Sequence, residues 1–291
     1  MPVADGPDFI CIGMQKAGTG WLFDQLQFHP DFWMTPVKQL HYLEHEKTRP
    51  GKAEKFLALA RKPERLQQRI SGRKRWDDRD IAFLEQLAGY RGEEMTVDRY
   101  ISLFQYKQNS LSGEINSGYS GLGADTIQQV AERLPALRVF IILRDPVARA
   151  WSQISMAHRN EKFDPGLLEK PEDFRTYLET SPAIKKVAYP AQIVDRWKRS
   201  APKLAFRWFF FDDIVKDPAI VRNEIIGYLG ADPDKSSGEI SADHNRKASD
   251  KKLESTETAR ATLIEHFRTE LRACAAMFGG PADAWAAQYG A

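Results

Sequence analysis

The most informative segment of this chain is Ile10-Cys11-Ile12-Gly13-Met14-Gln15-Lys16-Ala17-Gly18-Thr19-Gly20-Trp21-Leu22. Its apolar start predicts a buried strand, and a glycine-containing turn with Lys16 inside it joins this strand to a helix. Such a turn directs several backbone N–H groups at one point, and the start of a helix adds partial positive charge. The segment therefore predicts an anion site of the kind that most often holds phosphate.

The turn differs from the phosphate-binding loop of nucleotide hydrolases. That loop reads G-x-x-x-x-G-K-[ST], with its lysine directly after the second glycine. Here Lys16 precedes Gly18, and Thr19 follows that glycine directly. The difference points to another ligand and another reaction.

Strands and helices alternate along the chain. Apolar runs predict strands at residues 9–13, 32–36, 112–115, 138–143 and 204–211, with the aromatic run 208–211 in the core. Helical patterns occupy residues 19–28, 96–106, 125–134, 147–159, 189–200, 220–229 and 254–277, the last being the final helix. This alternation predicts an α/β fold: a single domain over residues 1–291 with a central, mainly parallel sheet flanked by helices.

One site is expected at the edge of this sheet. Ligands of parallel sheets bind beyond the carboxyl ends of the strands. Lys16, Lys38, Glu114 and Arg144 all follow a predicted strand or lie near its end. Residues 44–110 are rich in charge, which predicts a helical insertion, either a plain surface excursion or a cap over an acceptor site.

Composition excludes several classes of function. The chain has 42 basic and 40 acidic residues and a net charge of +2, which gives no support for general nucleic-acid binding. Two cysteines, Cys11 and Cys274, argue against a disulfide framework and fit a reducing cytoplasm. We expect no membrane span, no secretory signal in residues 1–8 and no metal site.

A second basic segment reads Arg144-Asp145-Pro146-Val147-Ala148-Arg149-Ala150-Trp151-Ser152. Arg144 ends the strongest predicted strand, and Pro146 suits the first position of a helix. A guanidinium fork and the Ser152 hydroxyl in the first turns of that helix together suit phosphate oxygens. Arg149 lies five residues beyond Arg144 and is expected to face elsewhere.

Together the two segments resemble the cofactor-binding signatures of sulfotransferases that use 3′-phosphoadenosine 5′-phosphosulfate, in their bacterial and carbohydrate-type branch. Three further stretches resemble that family in family order: His29-Pro30-Asp31 with Lys38-Gln39-Leu40-His41-Tyr42, Gly113-Glu114-Ile115-Asn116-Ser117-Gly118-Tyr119-Ser120, and Phe211-Asp212-Asp213-Ile214-Val215-Lys216-Asp217-Pro218. The resemblance covers residues 9 to 253, which is most of the chain.

The resemblance implies an enzyme that moves a sulfuryl group, without a metal, to a hydroxyl or amine of a carbohydrate, lipid or small metabolite. The cysteine usage places this enzyme in the cytoplasm. The resemblance also implies that the 5′-phosphosulfate is held by Gln15, Lys16, Ala17, Gly18, Thr19, Gly20 and Trp21, and the 3′-phosphate by Arg144 and Ser152, with Arg246 and Lys247 closing over it. Lys16 would neutralise charge on the leaving oxygen.

The general base is open at this point. In many relatives a glutamate stands where this chain has Gln39, and an amide has no useful basicity. Histidine is the usual general base at neutral pH, and His41, in an extended segment, would point to the same side as Gln39. Glu44 and Glu114 are alternatives, and Glu114 could instead only hydrogen-bond nearby backbone. Lys38 completes the candidate catalytic residues.

Two other functions fit parts of the pattern. A P-loop kinase or nucleotide hydrolase would share the anion site, although the Gly-Lys-[Ser/Thr] sequence is absent. A nucleotide-binding protein on the same fold, with catalysis lost at Gln39, would share both basic segments. The sequence fixes neither the acceptor nor the oligomeric state.

Overall fold

The computed structural model describes residues 6–44, 50–61, 76–90, 96–185, 187–235, 240–244 and 253–291. Its sheet has the strand order β2-β1-β3-β4, with every neighbouring pair parallel. The strands are β1 (Phe9–Cys11), β2 (Gly113–Ile115), β3 (Arg138–Leu143) and β4 (Ala205–Phe210). The predicted fold class, α/β with one mainly parallel sheet flanked by helices, is confirmed.

The helices connect and cover these strands. In chain order they are α1 (Thr19–Gln27), α2 (Pro50–Ala60), α3 (Asp78–Gly89), α4 (Val97–Ser102), α5 (Ala124–Arg133), α6 (Pro146–Arg159), α7 (Pro171–Thr180), α8 (Pro182–Lys185), α9 (Pro190–Ser200), α10 (Phe211–Lys216), α11 (Pro218–Leu229), α12 (Glu257–Phe278) and α13 (Pro281–Tyr289). Three short 3₁₀ turns lie at Gln105–Lys107, Ser117–Gly121 and Pro165–Leu168.

The two central strands form the middle of the core. Every residue of β1 is buried, and in β3 only Arg138 retains partial exposure. Such continuous apolar runs are typical of a parallel sheet that helices cover on both faces. Because β1 pairs with both β2 and β3, the loop after β1 lies between the ends of its two neighbours.

The edges of the sheet differ from the prediction. The segment 32–36 forms no strand but only one parallel bridge, from Phe32 to Leu111. In the run 208–211 only Phe209 is buried, because β4 is an edge strand whose other residues keep part of their surface exposed. The prediction that the whole aromatic run lies in the core is therefore wrong for three of its four residues, which pack against the core but stay partly exposed.

The helical part also contains elements that the sequence patterns missed. The final helix is α13 rather than α12. Helix α12 ends at Phe278 because Gly279 and Gly280, which follow it, both adopt positive φ angles. Helix α7 was not predicted either. Both helices begin with a proline at their first position. Proline favours the start of a helix, but a search for hydrophobic periodicity does not detect it.

The two cysteines are buried thiols, and no disulfide joins Cys11 to Cys274, as predicted. Burial raises the pKa of the Cys11 thiol to about 12, so it stays protonated at neutral pH. Among the residues that the structure describes, none of the helices combines the length and apolarity that crossing a membrane requires.

Asp80 makes the stability of the fold depend on pH. It is buried at the start of α3, where it accepts hydrogen bonds from Trp33 Nε1 and the Asp77 amide, and burial raises its pKa to about 6. Between about pH 4 and pH 6, Asp80 thus keeps its proton in the folded chain and loses it in the unfolded chain. We expect the free energy of unfolding to fall by roughly 2–3 kcal/mol as pH rises from about 4 to about 6.

Urea unfolding across this pH range measures the effect. Asp80→Asn should remove most of the slope, whereas the matched change Asp78→Asn, at an exposed position of the same first turn, should leave it in place. An unchanged slope in the Asp80 variant would contradict the assignment.

Candidate active site

The loop after β1 is held against β3 by backbone hydrogen bonds that continue beyond the strand itself. Ile12 N donates to Phe140 O at 2.9 Å, and Met14 N donates to Ile142 O at 3.0 Å. The chain then turns, with Ala17 N donating to Met14 O at 3.2 Å. Lys16 sits in this turn with a φ angle of 71°, in the left-handed region.

Arg144 joins the two basic segments. It follows β3, and its Nη1 donates a hydrogen bond to the Lys16 carbonyl oxygen at 2.5 Å. Its guanidinium lies over the ring of Phe211, 4.5 Å from the ring centre, in a cation–π contact. Burial lowers the pKa of Arg144, partly offset by Asp145 and Asp212, and the group stays cationic at neutral pH.

Phe211 is a site residue that the sequence analysis assigned to the core. It begins α10 directly after β4 and is half-buried. A Cβ atom built on Gly18 would lie 3.2 Å from its ring, so Phe211 also packs against the loop. The sequence offered one signal, because Phe211 opens the third of the further stretches that resemble the family. In the structure it directly follows β4, as Arg144 directly follows β3.

The start of α1 is open to an anion. Its N-cap is Gly18, with a φ angle of 86° and no side chain to bond the first N–H groups, and the first turn holds no acidic residue. These N–H groups therefore lack an intrahelical partner and carry the positive end of the helix dipole. Lys38 adds a cation here, because its Nζ lies 3.9 Å from a Cβ built on Gly20.

Helix α6 begins beside Arg144. Asp145 caps it by accepting a hydrogen bond from Val147 N at 2.8 Å, while its other oxygen accepts one from Tyr289 Oη at 2.6 Å. Ser152 lies in the second turn of this helix and is half-buried. The Asp145 carboxylate thus fixes the position of the helix that carries Ser152.

Glu114 is the centre of a buried hydrogen-bond network. Its side chain has no solvent-exposed surface. Its two carboxylate oxygens accept four hydrogen bonds, at 2.7 to 3.0 Å, from Leu40 N, Asn116 Nδ2, Tyr100 Oη and Tyr119 Oη. Burial raises the pKa of Glu114 and, with the nearby carboxylate, those of both tyrosines. This arrangement favours the structural alternative for Glu114, in which it fixes the segment at Leu40, over proton abstraction.

The segment 38–44 lies against the turn after β2. Gln39 Nε2 donates to Ser117 Oγ at 3.0 Å, and Leu43 N donates to Tyr119 Oη at 3.3 Å. His41 has a φ angle of 56°, so the segment is not extended there, and the predicted reason for its direction is wrong. The backbone turns instead, and His41 Nδ1 meets Glu44 Oε1 at 2.8 Å.

The remaining predicted residues fall into three groups. Gln15 and Ala17 lie in the loop, Gly20 and Trp21 lie in the first turn of α1, and Arg246 and Lys247 lie outside the described residues. Trp21 Nε1 donates to Ala242 O at 2.6 Å, and Trp151 Nε1 donates to Leu253 O at 3.1 Å. The two tryptophans, interpreted from sequence as packing residues, therefore also fix two later parts of the chain.

Comparison with known proteins agrees with this architecture. No protein-family profile matches the chain, and no curated protein matches its sequence. A solved sulfotransferase from Alicyclobacillus acidocaldarius superposes with a TM-score of 0.64 at 21% identity, covering 96% of this chain and 98% of that one. Two looser matches are also sulfotransferases. STF1 from Mycobacterium tuberculosis has a TM-score of 0.45 at 12% identity, covering 99% of this chain and 77% of that one. The sulfotransferase domain of the Synechococcus olefin synthase has a TM-score of 0.41 at 16% identity, covering 87% of this chain and 83% of that one. This chain has the fold of a sulfotransferase.

Proposed function

We propose that this chain transfers a sulfuryl group from 3′-phosphoadenosine 5′-phosphosulfate to a hydroxyl or amine of a carbohydrate, lipid or small-metabolite acceptor. The observation that carries the proposal is the contact between its two basic segments, in which Arg144 Nη1 donates to Lys16 O at 2.5 Å. Two segments that resemble the two donor-binding signatures of one family thus lie side by side at one edge of the sheet.

The donor set fits a nucleotide with anionic groups at both ends. The uncapped N–H groups at the start of α1, together with Lys16, Lys38 and Thr19, suit a 5′-phosphosulfate. Arg144 presents a planar fork to an anion while its face rests on Phe211. With Ser152 on the adjoining helix, it would hold the 3′-phosphate and thereby set the direction of the nucleotide.

Lys16 and the α1 N-terminus perform the electrostatic part of the reaction. The donor supplies an activated sulfuryl group whose departure leaves negative charge on a phosphate oxygen. Fixed positive groups that face this oxygen stabilise the charge as it develops, as they do in phosphoryl transfer. The hydrogen bond from Arg144 to the Lys16 carbonyl fixes the backbone that carries the lysine, so the positive charge needs little reorganisation.

His41 is proposed to take the acceptor's proton. Its Nδ1 faces the Glu44 carboxylate, and an N–H at Nδ1 that donates to this carboxylate leaves the lone pair on Nε2 for the acceptor hydroxyl. Its left-handed backbone is a conformation that is uncommon outside glycine and often found at functional sites. Gln39 donates to Ser117 and lacks the basicity for this role.

The surrounding region is assigned by the same proposal. Residues 1–291 act as one sulfotransferase domain in the cytoplasm, and residues 44–110 form a helical insertion that covers the acceptor. Helices α2 and α3 of this insertion pack against each other, and Trp33 bonds to Asp80 at the start of α3. The insertion is therefore attached to the segment that leads from α1 to Lys38.

Gly118→Ala is expected to lower kcat while changing stability little. A Cβ at Gly118 would overlap the Glu44 carboxylate, the movable end of a flexible side chain, so Glu44 must leave its place beside His41. If Glu44 orients His41, kcat falls by roughly 10–100-fold, which is less than the loss expected when a general base is itself removed. The melting temperature and kcat are measured together.

Gly123→Ala is the matched control, because nothing lies within 4 Å of a Cβ built there. It should leave kcat unchanged. A Gly118→Ala enzyme with wild-type turnover would remove Glu44 from the mechanism.

The function is tested by transfer of labelled sulfate from the donor into a cell extract, followed by mass spectrometry of the product, and by thermal shift with 3′-phosphoadenosine 5′-phosphate. We expect a labelled acceptor without added Mg²⁺ and a raised melting temperature with the bisphosphate. Magnesium-dependent activity with ATP would replace the proposal with a kinase or hydrolase. Bisphosphate binding without transfer to any acceptor would leave a nucleotide-binding protein.

A further inference from the structure

Arg149 is a fully buried arginine whose side chain has no hydrogen-bond partner among the residues that the structure describes. It lies in the first turns of α6 at 0% exposure, and its Nε, Nη1 and Nη2 atoms form no hydrogen bond with any described residue. A guanidinium has five N–H donors and keeps its charge in proteins, so burial without an acceptor is costly. Such a group requires an explanation that packing alone does not give.

The charges that act on Arg149 do not compensate it. Burial lowers its pKa to about 10, and the next largest influence is the like charge of Arg144. The phenol of Tyr189 is the one group among these influences that acts in the opposite direction. Arg144 differs, because Asp145 and Asp212 both favour its charged form. The described residues thus place two guanidinium groups within electrostatic reach and give a carboxylate partner only to the first.

The position of Arg149 connects it with the proposed donor site. It follows Arg144 by five residues, and its backbone N–H donates to Asp145 O at 2.8 Å in the first turn of α6. Ser152 and Gln153 come three and four residues later, which places them beside Arg149 on the same helical face. The Gln153 Oε1 atom is also buried without a hydrogen-bond partner. Of the eight buried side-chain polar atoms in the described residues that lack a partner, five belong to α6.

We infer that Arg149 supplies a second positive charge to the anion site that Arg144 lines, and that a dianionic phosphate of the bound nucleotide compensates this charge. The inference rests on the proposed function, since the anion in question is the 3′-phosphate of the donor. A charge held in a low-dielectric interior acts on a nearby dianion more strongly than an exposed one does. Arg149 is thus a binding residue that discriminates a nucleotide with a 3′-phosphate from one without it.

The inference predicts that a substitution of Arg149 affects the stability of the ligand-free protein and its affinity for the bisphosphate differently. A purely structural role would lower both. An apolar side chain of similar length would fit the interior without an uncompensated charge, and such replacements are often neutral or stabilising. Arg149→Met should therefore melt at or above the temperature of the wild-type protein when no ligand is present. Its affinity for the bisphosphate should nevertheless fall, because the second charge is gone.

Calorimetric titration and thermal shift with 3′-phosphoadenosine 5′-phosphate and with 5′-AMP test this on the full chain. For Arg149→Met we expect the Kd of the bisphosphate to rise roughly 10–100-fold and that of 5′-AMP to change less than about threefold. Arg149→Lys, which retains the charge, should keep the bisphosphate Kd within about fivefold of wild type. Arg175→Met, an exposed arginine of α7, is the control and should change neither Kd.

Wild-type affinity for the bisphosphate in Arg149→Met would overturn the inference, and so would equal losses for the two nucleotides. If Arg149→Met does not fold, Arg149→Gln takes its place, and equal bisphosphate affinities of the Gln and Lys variants would overturn it. A wild-type protein that does not bind the bisphosphate would instead refute the proposed function. The two failures are therefore distinguishable.

Discussion

Lys16→Ala is expected to lower kcat by roughly 10²–10³-fold while the Kd of the bisphosphate product changes less than about fivefold. The physical reason is that the proposed interaction of Lys16 reaches full strength only in the transition state, when charge develops on the leaving oxygen. The anion itself is also bound by the N–H groups at the start of α1, which the substitution leaves in place. Steady-state kinetics with labelled donor and calorimetric titration give the two quantities.

Lys203→Ala is a suitable control for this experiment, because Lys203 is an exposed lysine in the turn before β4. It should change neither turnover nor affinity. A Lys16→Ala enzyme that loses kcat and product affinity by the same factor would contradict the leaving-group role and indicate a residue that only binds the nucleotide.

Arg144→Ala is expected to remove most of the thermal stabilisation that the bisphosphate produces and to weaken its affinity roughly 10–100-fold. The guanidinium is the proposed ligand of the 3′-phosphate, and it also fixes the Lys16 backbone and stacks on Phe211. Arg144→Lys should recover little of the effect, because an ammonium has neither the planar fork nor the stacking face. Melting curves with increasing bisphosphate measure the loss.

A closely matched control exists in β4. Arg207 also stacks on a phenylalanine, 4.9 Å from the ring centre of Phe209, but it forms an ion pair with Glu224 at 3.5 Å. Arg207→Ala should keep the full thermal shift. If 5′-AMP stabilises the wild-type protein as well as the bisphosphate does, the role assigned to Arg144 is wrong.

The parts of the fold that the sequence predicted are those in which local pattern and burial agree. The bounds of β3 were predicted to the residue, because a run of β-branched and aromatic residues between a turn and Arg144 fits only a central strand. The meeting of the two basic segments was predictable as well. Both follow parallel strands, and β1 and β3 turned out to be neighbours in the sheet.

Other features depend on contacts that a linear pattern does not contain. Phe211 was assigned to the core because of its aromatic neighbours, yet its position at a sheet edge leaves its face for Arg144. The left-handed turn at His41 follows from the bonds that hold Leu40 and Leu43 to the β2 side. The isolation of Arg149 required the packing around α6, because an arginine in a helix sequence is ordinarily exposed.

The hydrogen bond from Tyr289 to Asp145 connects residues 144 positions apart. Asp145 caps the start of α6, so this cap gains its contact with Tyr289 only after α13 has docked beside the proposed nucleotide site. During synthesis on the ribosome, the two basic segments emerge long before the helix that secures them. A nascent chain therefore passes through most of its translation without the Tyr289 contact that supports the proposed site.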